Sequence, residues 1–482
     1  MAALSAVAAK PELVRQIEQI VGEPGVLWSE YDLMLYEYDG SIDKSRAQAV
    51  VFPTSSRQVA ELVRLANRLD VPYTARGAGT GLSGGAIPAD GGILISFARM
   101  NRILELEPET LRGVVEPGVV NLRLGQAVAP LGLTYVPDPS SQKACTVGGT
   151  VGENSGGPHT LRYGVTTNHT LGLEVVLPDG EVITTGGKAL DCPGYDLTGL
   201  FVGSEGTMGL VTEIVVRLVP TSEAVKTLLA IFPTVRDASN AVAAIVAHRI
   251  VPAALEMMDN LTIRAVEAAV HAGYPVEAEA VLLIELEGLR EEMDDLAESI
   301  VAVCREHLAV DVRVAKSDKE RALLWAGRKG AFGAIGRVSP DYYTVDGVVP
   351  RSKLPEVLNQ IQGFSRDSGL RIANVFHAGD GNLHPLVLFD SDDAEQTKLA
   401  VEVGGRIMRA CAEAGGSLSG EHGIGMEKNE LMPLIFTEAD LAVMQLVKQA
   451  IDPSGRCNPG KVFPTPGKCL EMIPGRSKAV GW

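Results

Sequence analysis

The sequence predicts an α+β protein in two parts, a glycine-rich anion-cradling unit followed by a ferredoxin-like unit. Three observations carry this. Glycine-rich stretches at 76–85, 146–157 and 203–209 crowd the first half. Beyond Pro220 the texture changes to alternating strands and helices in a β-α-β-β-α-β-like series. The chain of 482 residues, 46% hydrophobic, is long enough for two or three ordinary cores. The expected organisation is a lead-in over 1–46, a first unit over 47–221, a second over 222–425 and a closing segment over 426–482.

In chain order, Pro11 to Val21 reads as a short helix, followed by a polar lead-in through Asp43. Ser55 or Ser56 can cap a helix whose apolar residues Val59, Leu62, Val63, Ala66 and Leu69 keep the helical period. That helix leads to a strand, Val71 to Ala75, and so to Arg76-Gly77-Ala78-Gly79-Thr80-Gly81-Leu82-Ser83-Gly84-Gly85. Five glycines in ten residues permit positive φ and leave backbone N–H groups open to an anion, so the loop reads as a diphosphate cradle. A tight turn without a ligand is the plainer alternative. Residues 79–84 also fit G-x-G-x-x-G, but Pro88 and Gly91-Gly92 stand where a Rossmann helix would begin, which disfavours a nicotinamide site.

Short strands are expected at Ile93 to Phe97, Ile103 to Leu106 and Gly113 to Val115, then a helix near Leu122 to Ala129. Pro137 to Ser141 forms a rigid turn before the second glycine-rich stretch, Thr146 to Gly157. The third, Gly203 to Gly209, precedes a strand from Leu210 to Val219. In the second unit, strands at 227–232, 253–257, 281–287 and 311–315 alternate with helices at 237–248, 261–271 and 291–307.

Net charge of −17 and the lack of a basic patch exclude a nucleic-acid partner. No apolar run is long enough to span a bilayer and Met1 to Lys10 lacks a secretory pattern, so a cytoplasmic protein is expected, or one held peripherally at a membrane. Six scattered cysteines without a C-x-x-C pair exclude a disulfide framework and an iron–sulfur cluster of the chain's own.

Asn374 to Pro385 carries the chemistry. Asp380-Gly381 signals a type I′ hairpin, which sets His377 opposite His384, close enough to share a divalent ion. Glu421, in the glycine-flanked run Ser417 to Gly425, could complete a His-His-carboxylate set, with His422 turned toward a substrate as base. The other histidines, His159, His169, His248, His271 and His307, read as surface or hydrogen-bonded core residues. Arg328 fits either a carboxylate anchor or an exposed helix cation. A metal-dependent hydrolase that binds a phosphorylated substrate would use the same residues.

Taken together, the loop at 76–85, Pro137 to Gly157 and Gly203 to Gly209 resemble the FAD-binding domain of vanillyl-alcohol-oxidase-type FAD-linked oxidases. The segments at 374–385, 419–425 and 452–461 resemble the C-terminal half of the branch that oxidises D-2-hydroxy acids. Pro137 to Gln142, Leu255 to Asn260, Trp325 to Lys329, Ser339 to Tyr343 and Gly420 to Gly425 are most similar to the glycolate-oxidising members. The resemblance implies FAD held by Arg76, Gly77, Ala78, Gly79, Thr80 and Gly81, by Pro139, Ser140, Thr146, Gly148, Gly149, Gly152, Asn154 and Ser155, and by Glu205, Gly206, Ile214 and Asn458. It also implies a divalent metal (Zn, Mn or Fe) on His377, His384 and Glu421, with His422 as base and Arg328 as carboxylate anchor. Phe332 and Thr344 stand where relatives acting on 2-hydroxyglutarate carry Thr and Lys, which favours a small substrate such as glycolate or D-lactate. A histidyl FAD link is ruled out because His159 is the first histidine; a cysteinyl link at Cys145 stays open. The implied partners are an iron–sulfur subunit and a second FAD-binding-like subunit of a glycolate oxidase complex. A stand-alone D-lactate dehydrogenase and a non-catalytic FAD-binding subunit are the alternatives.

Overall fold

The computed structural model describes residues 10–88, 91–189 and 193–464. Most of Met1 to Lys10, Ala89-Asp90 and the end of the closing segment from 465 lie outside these, as do Cys192 and Cys469.

The first unit contains two sheets. In one, the strands Ala49–Val51, Ile93–Ser96 and Tyr73–Arg76 run parallel, with Val26–Leu27 antiparallel at the edge. The helix Ser56–Leu69 starts at Ser55, whose hydroxyl accepts from the Gln58 N–H, and buries Val59, Leu62, Val63 and Ala66. It stops where Asp70 turns to φ 55°, and Tyr73–Arg76 then delivers the chain to the glycine loop. The second sheet is antiparallel, in the order Ile103–Glu107, Arg112–Val115, Leu210–Arg217, Thr170–Val176, Val182–Gly186.

The second glycine-rich stretch contains the helix Val147–Glu153. The Thr146 hydroxyl caps it by accepting from the Gly149 N–H. Close packing explains the glycine at its start: a Cβ at Gly148 would lie 2.4 Å from Pro117. Tertiary contact thus overrides a poor helix propensity.

In the second unit the strands Ala224–Phe232, Ala254–Asp259, Ala280–Gly288 and Asp311–Val314 lie in the order fourth, first, third, second, the ferredoxin-like arrangement. The helix Asn260–Val270 is an addition between the second and third strands, and Ile372–His377 extends the sheet beyond Ala254–Asp259. Leu228, Leu282 and Ile284 pack on one face, Leu229, Val281 and Leu283 on the other. Burial on both faces is why these strands read as continuous apolar runs.

The closing segment returns to the first unit. Tyr73 donates its N–H to the Arg456 carbonyl and Asn458 donates to the Tyr73 carbonyl, so this segment borders the parallel sheet beside the glycine loop.

Candidate active site

A cavity of about 390 Å³ runs from the glycine loop to the histidines. Of the expected cofactor residues, Gly77 to Gly81, Pro139, Ser140, Thr146, Gly148, Gly149, Gly152, Ser155, Glu205 and Gly206 line it. A Cβ at Gly152 would meet no protein atom within 4 Å, so a side chain there would enter space a ligand can use. The open space beside Gly152 fits a bulky cofactor held against backbone.

Four expected cofactor residues stand elsewhere. Ile214 is fully buried inside the antiparallel sheet, because strand alternation turns it to the core. Asn154 takes φ 55° at the end of its helix, and its side-chain oxygen accepts from the Thr167 N–H. Arg76 braces the glycine loop from behind, donating to the Tyr38 carbonyl. Asn458 donates to the carbonyls of Gly85 and Glu205, fastening two cradle segments together.

The cradle and the catalytic loop interlock. The two Glu205 carboxylate oxygens accept from the N–H groups of Ile424 and Gly425, each at 2.7 Å, and the Ser83 hydroxyl donates to the His422 carbonyl at 2.9 Å. Glu421 and His422 therefore reach the cavity wall, as does His384.

The histidine pair forms by a different register from the expected one. Ala378–Gly381 makes a four-residue turn in which Gly381 has φ +84° and Asp380 is not in the positive region, so it is not type I′. Neighbouring segments hold the turn open: the Gly379 N–H donates to Leu255, and the Gly381 carbonyl accepts from Val349. His377 therefore pairs with Asn382, and His384, two residues further on, returns to the same face. Their rings lie 5.1 Å apart. Glu421 Oε1 is 3.2 Å from His377 Nε2 and 3.3 Å from His384 Nε2.

The donor atoms of His377, His384 and Glu421 lie within 4.8 Å of one another. His384 Nε2 and Glu421 Oε2 are buried without a hydrogen-bond partner, as expected of lone pairs aimed at a cation. This donor set fits Zn, Mn or Fe(II).

Two acids that were not anticipated support the set. Glu256 pairs across the sheet with His377 and sits 2.9 Å from its Nδ1, which leaves Nε2 facing Glu421. Burial favours neutral His377, but Glu256 and Glu421 outweigh it and raise its pKa well above the ordinary value; a bound cation competes with that proton. Asp346, fully buried, uses Oδ2 to accept from the Ser419 hydroxyl at 2.7 Å and from the N–H groups of Gly420, Glu421 and His422 at 3.1, 3.3 and 2.9 Å. Lys428 pairs with the same oxygen at 3.2 Å. The available signal for both was a lone acid within an apolar run, Val345-Asp346-Gly347-Val348-Val349 and Ala254-Leu255-Glu256-Met257-Met258.

His422 stacks on His384 with ring centroids 4.9 Å apart. Burial lowers its pKa to about 4 against the pull of Asp346, so the imidazole is neutral and able to accept a proton. Cys145 lines the cavity, and burial pushes its thiol up to about 11, away from the reactive thiolate.

Arg328 is neither an exposed cation nor part of the cavity lining. It is buried, with its guanidinium 2.5 Å from Glu256. Lys329 and Phe332 line the cavity instead.

The FAD binding domain family matches residues 47–186, and the C-terminal domain family of FAD linked oxidases matches residues 221–462. The chain belongs to the FAD-linked oxidases. This FAD-linked oxidase is 49% identical over 448 residues to the glycolate oxidase subunit GlcD of Escherichia coli (strain K12), covering 93% of this chain and 90% of that one. It is 39% identical to GlcD of Bacillus subtilis (strain 168), over 94% and 97%. A D-lactate dehydrogenase of Anaerostipes hadrus is 32% identical, also over 94% and 97%. Among solved structures, substrate-bound p-cresol methylhydroxylase superposes with a TM-score of 0.80 at 18% identity, over 93% of this chain and 96% of that one, which establishes the fold. The expected α+β fold of the vanillyl-alcohol-oxidase type and an FAD-dependent oxidoreductase are thereby borne out, and a hydrolase is set aside. No helix among the described residues is long and apolar enough to cross a membrane.

Proposed function

We propose that this FAD-linked oxidase oxidises a small 2-hydroxy acid, glycolate or D-lactate, to the 2-oxo acid as the catalytic subunit of a glycolate oxidase complex. The observation that carries this is the meeting of a backbone-lined FAD cradle and a His-His-Glu set with a neutral His422 on one cavity. The flavin supplies the hydride acceptor, and a cation on His377, His384 and Glu421 supplies a Lewis acid that makes a bound hydroxyl more acidic.

The chain's own residues do the rest. His422 removes the hydroxyl proton as the α-carbon gives up its hydride. Glu256 fixes His377, Asp346 fixes the backbone of Glu421 and His422, and Glu205 locks that loop to the cradle. Phe332 lies 6.3 Å, ring to ring, from His384 and narrows this end of the cavity toward small substrates.

Electrons leave through partners. Six scattered cysteines provide no cluster ligands, so an iron–sulfur subunit and a second FAD-binding-like subunit are the proposed acceptors. The test is anaerobic mixing of the FAD-loaded protein with a panel of D- and L-2-hydroxy acids. Flavin bleaching by glycolate or D-lactate supports the reading; oxidised flavin throughout the panel rejects it. Co-elution of the native protein with the two other subunits tests the complex.

A further inference from the structure

Lys329 is the only lysine or arginine among the described residues that line the cavity. It ends the helix Asp318–Lys329, three residues before Phe332, whose ring faces His384. The acids on the wall, Glu153, Glu205 and Glu421, carry no positive charge to pair with a carboxylate.

The ammonium of Lys329 is held but not used up. Its Nζ is 3.0 Å from Asp138 Oδ2 and 5.7 Å from the Trp325 ring centre, and its side chain is 30% exposed. An ammonium has three donors, so hydrogen-bonding capacity remains. Nor does Asp138 cancel its charge alone, because Asp138 Oδ1 is also 2.9 Å from His159 Nδ1. Burial opposes a charge on His159, but Asp138 and Glu285 outweigh it and hold its pKa at about 10. Glu285 in turn has its own cation, Arg321, 3.0 Å away. Two cations, Lys329 and His159, therefore share Asp138, while Glu285 and Glu287 stand 3.6 and 4.0 Å from the other ring nitrogen of His159.

We propose that Lys329, oriented by Asp138 and His159, is the anchor for the substrate carboxylate, and that Arg328 acts from behind as a positioning residue through Glu256. This rests on the 2-hydroxy-acid reading above.

The test is stopped-flow flavin reduction of the FAD-loaded protein by glycolate, comparing wild type, K329M and K329R, with glycolamide as the uncharged substrate. In K329M the apparent dissociation constant for glycolate should rise roughly ten- to a hundredfold, as expected for losing a hydrogen bond to a charged group. The limiting reduction rate and FAD affinity should stay near wild type, and K329R should recover part of the loss. Glycolamide should bind wild type and K329M alike, and that comparison also controls for any folding defect. A K329M protein that binds glycolate as wild type does, or loses glycolate and glycolamide equally, overturns the Lys329 assignment and leaves the proposed function standing. Wild type that no 2-hydroxy acid reduces overturns both.

Discussion

Asp346→Asn removes the charge on which the catalytic loop hangs. In the wild type one carboxylate oxygen gathers the Ser419 hydroxyl, three consecutive backbone N–H groups and Lys428 Nζ, all within 3.3 Å. Burial alone would raise the pKa of Asp346, but His422, Lys428 and His384 outweigh it and hold it well below the usual carboxylate range. An asparagine of the same shape offers one neutral oxygen, and its NH₂ cannot accept. Lys428, only 1% exposed, then loses its counterion. Breaking a buried ion pair by removing one partner costs about 3–5 kcal/mol. Part of this is offset because Lys428 also donates to the Gly423 carbonyl at 3.0 Å. Urea unfolding of the FAD-loaded protein should therefore show a loss of about 3 kcal/mol, and anaerobic flavin reduction by glycolate should slow because Glu421 and His422 lose their mooring. Unfolding within about 0.5 kcal/mol of wild type, the range of an ordinary surface substitution, together with an unchanged reduction rate would refute this role.

His422→Ala should keep FAD, judged by its visible spectrum, while flavin reduction falls by about 10²- to 10⁴-fold, the usual contribution of a general base; wild-type turnover would remove His422 from the mechanism. Gly423→Ala should destabilise the protein by roughly 2 kcal/mol in the same urea assay. Gly423 has φ +81°, and a Cβ there would lie 2.0 Å from Glu153 Oε2, so an unchanged midpoint would mean that the loop yields freely. The His159 cluster predicts a stability window. Its imidazole pKa is raised from 6.5 to about 10, so its contribution is full below the ordinary imidazole range and is lost as pH climbs toward about 10. Its carboxylate partner Glu285 is depressed to about 2 despite burial, by His159 and Arg321, so that contribution is lost only on strong acidification. The thermal midpoint of wild type should fall between neutral and alkaline pH by more than that of His159→Asn, and parallel curves would contradict this.

Much of the fold was legible because local signals and tertiary demands agreed. Ser55 caps where a cap was expected, and the strands of the second unit are apolar on both faces because helices cover both. His377 and His384 do meet beside Glu421 and His422, but the type I′ register from which their meeting was expected is not the one that brings them together. Turn residues propose a register, but here bonds to Leu255 and Val349, distant in sequence, decide it. Motif matching names a segment without fixing which way each side chain projects. That is why Ile214 is found in a sheet core, Arg328 behind Glu256, and Lys329 rather than Arg328 on the cavity. Asp346 and Glu256 were hidden for a related reason: a single acid in an apolar run has meaning only once its long-range partners are known.

The central claim is that the FAD cradle and the His-His-Glu set serve one reaction. The most direct measurement is the rate of anaerobic flavin bleaching by glycolate before and after a chelator strips divalent metal, with FAD content followed in parallel. Retained FAD with bleaching abolished by chelation and restored by added Zn²⁺ or Mn²⁺ is the predicted result. Bleaching that proceeds at the same rate without metal would contradict it.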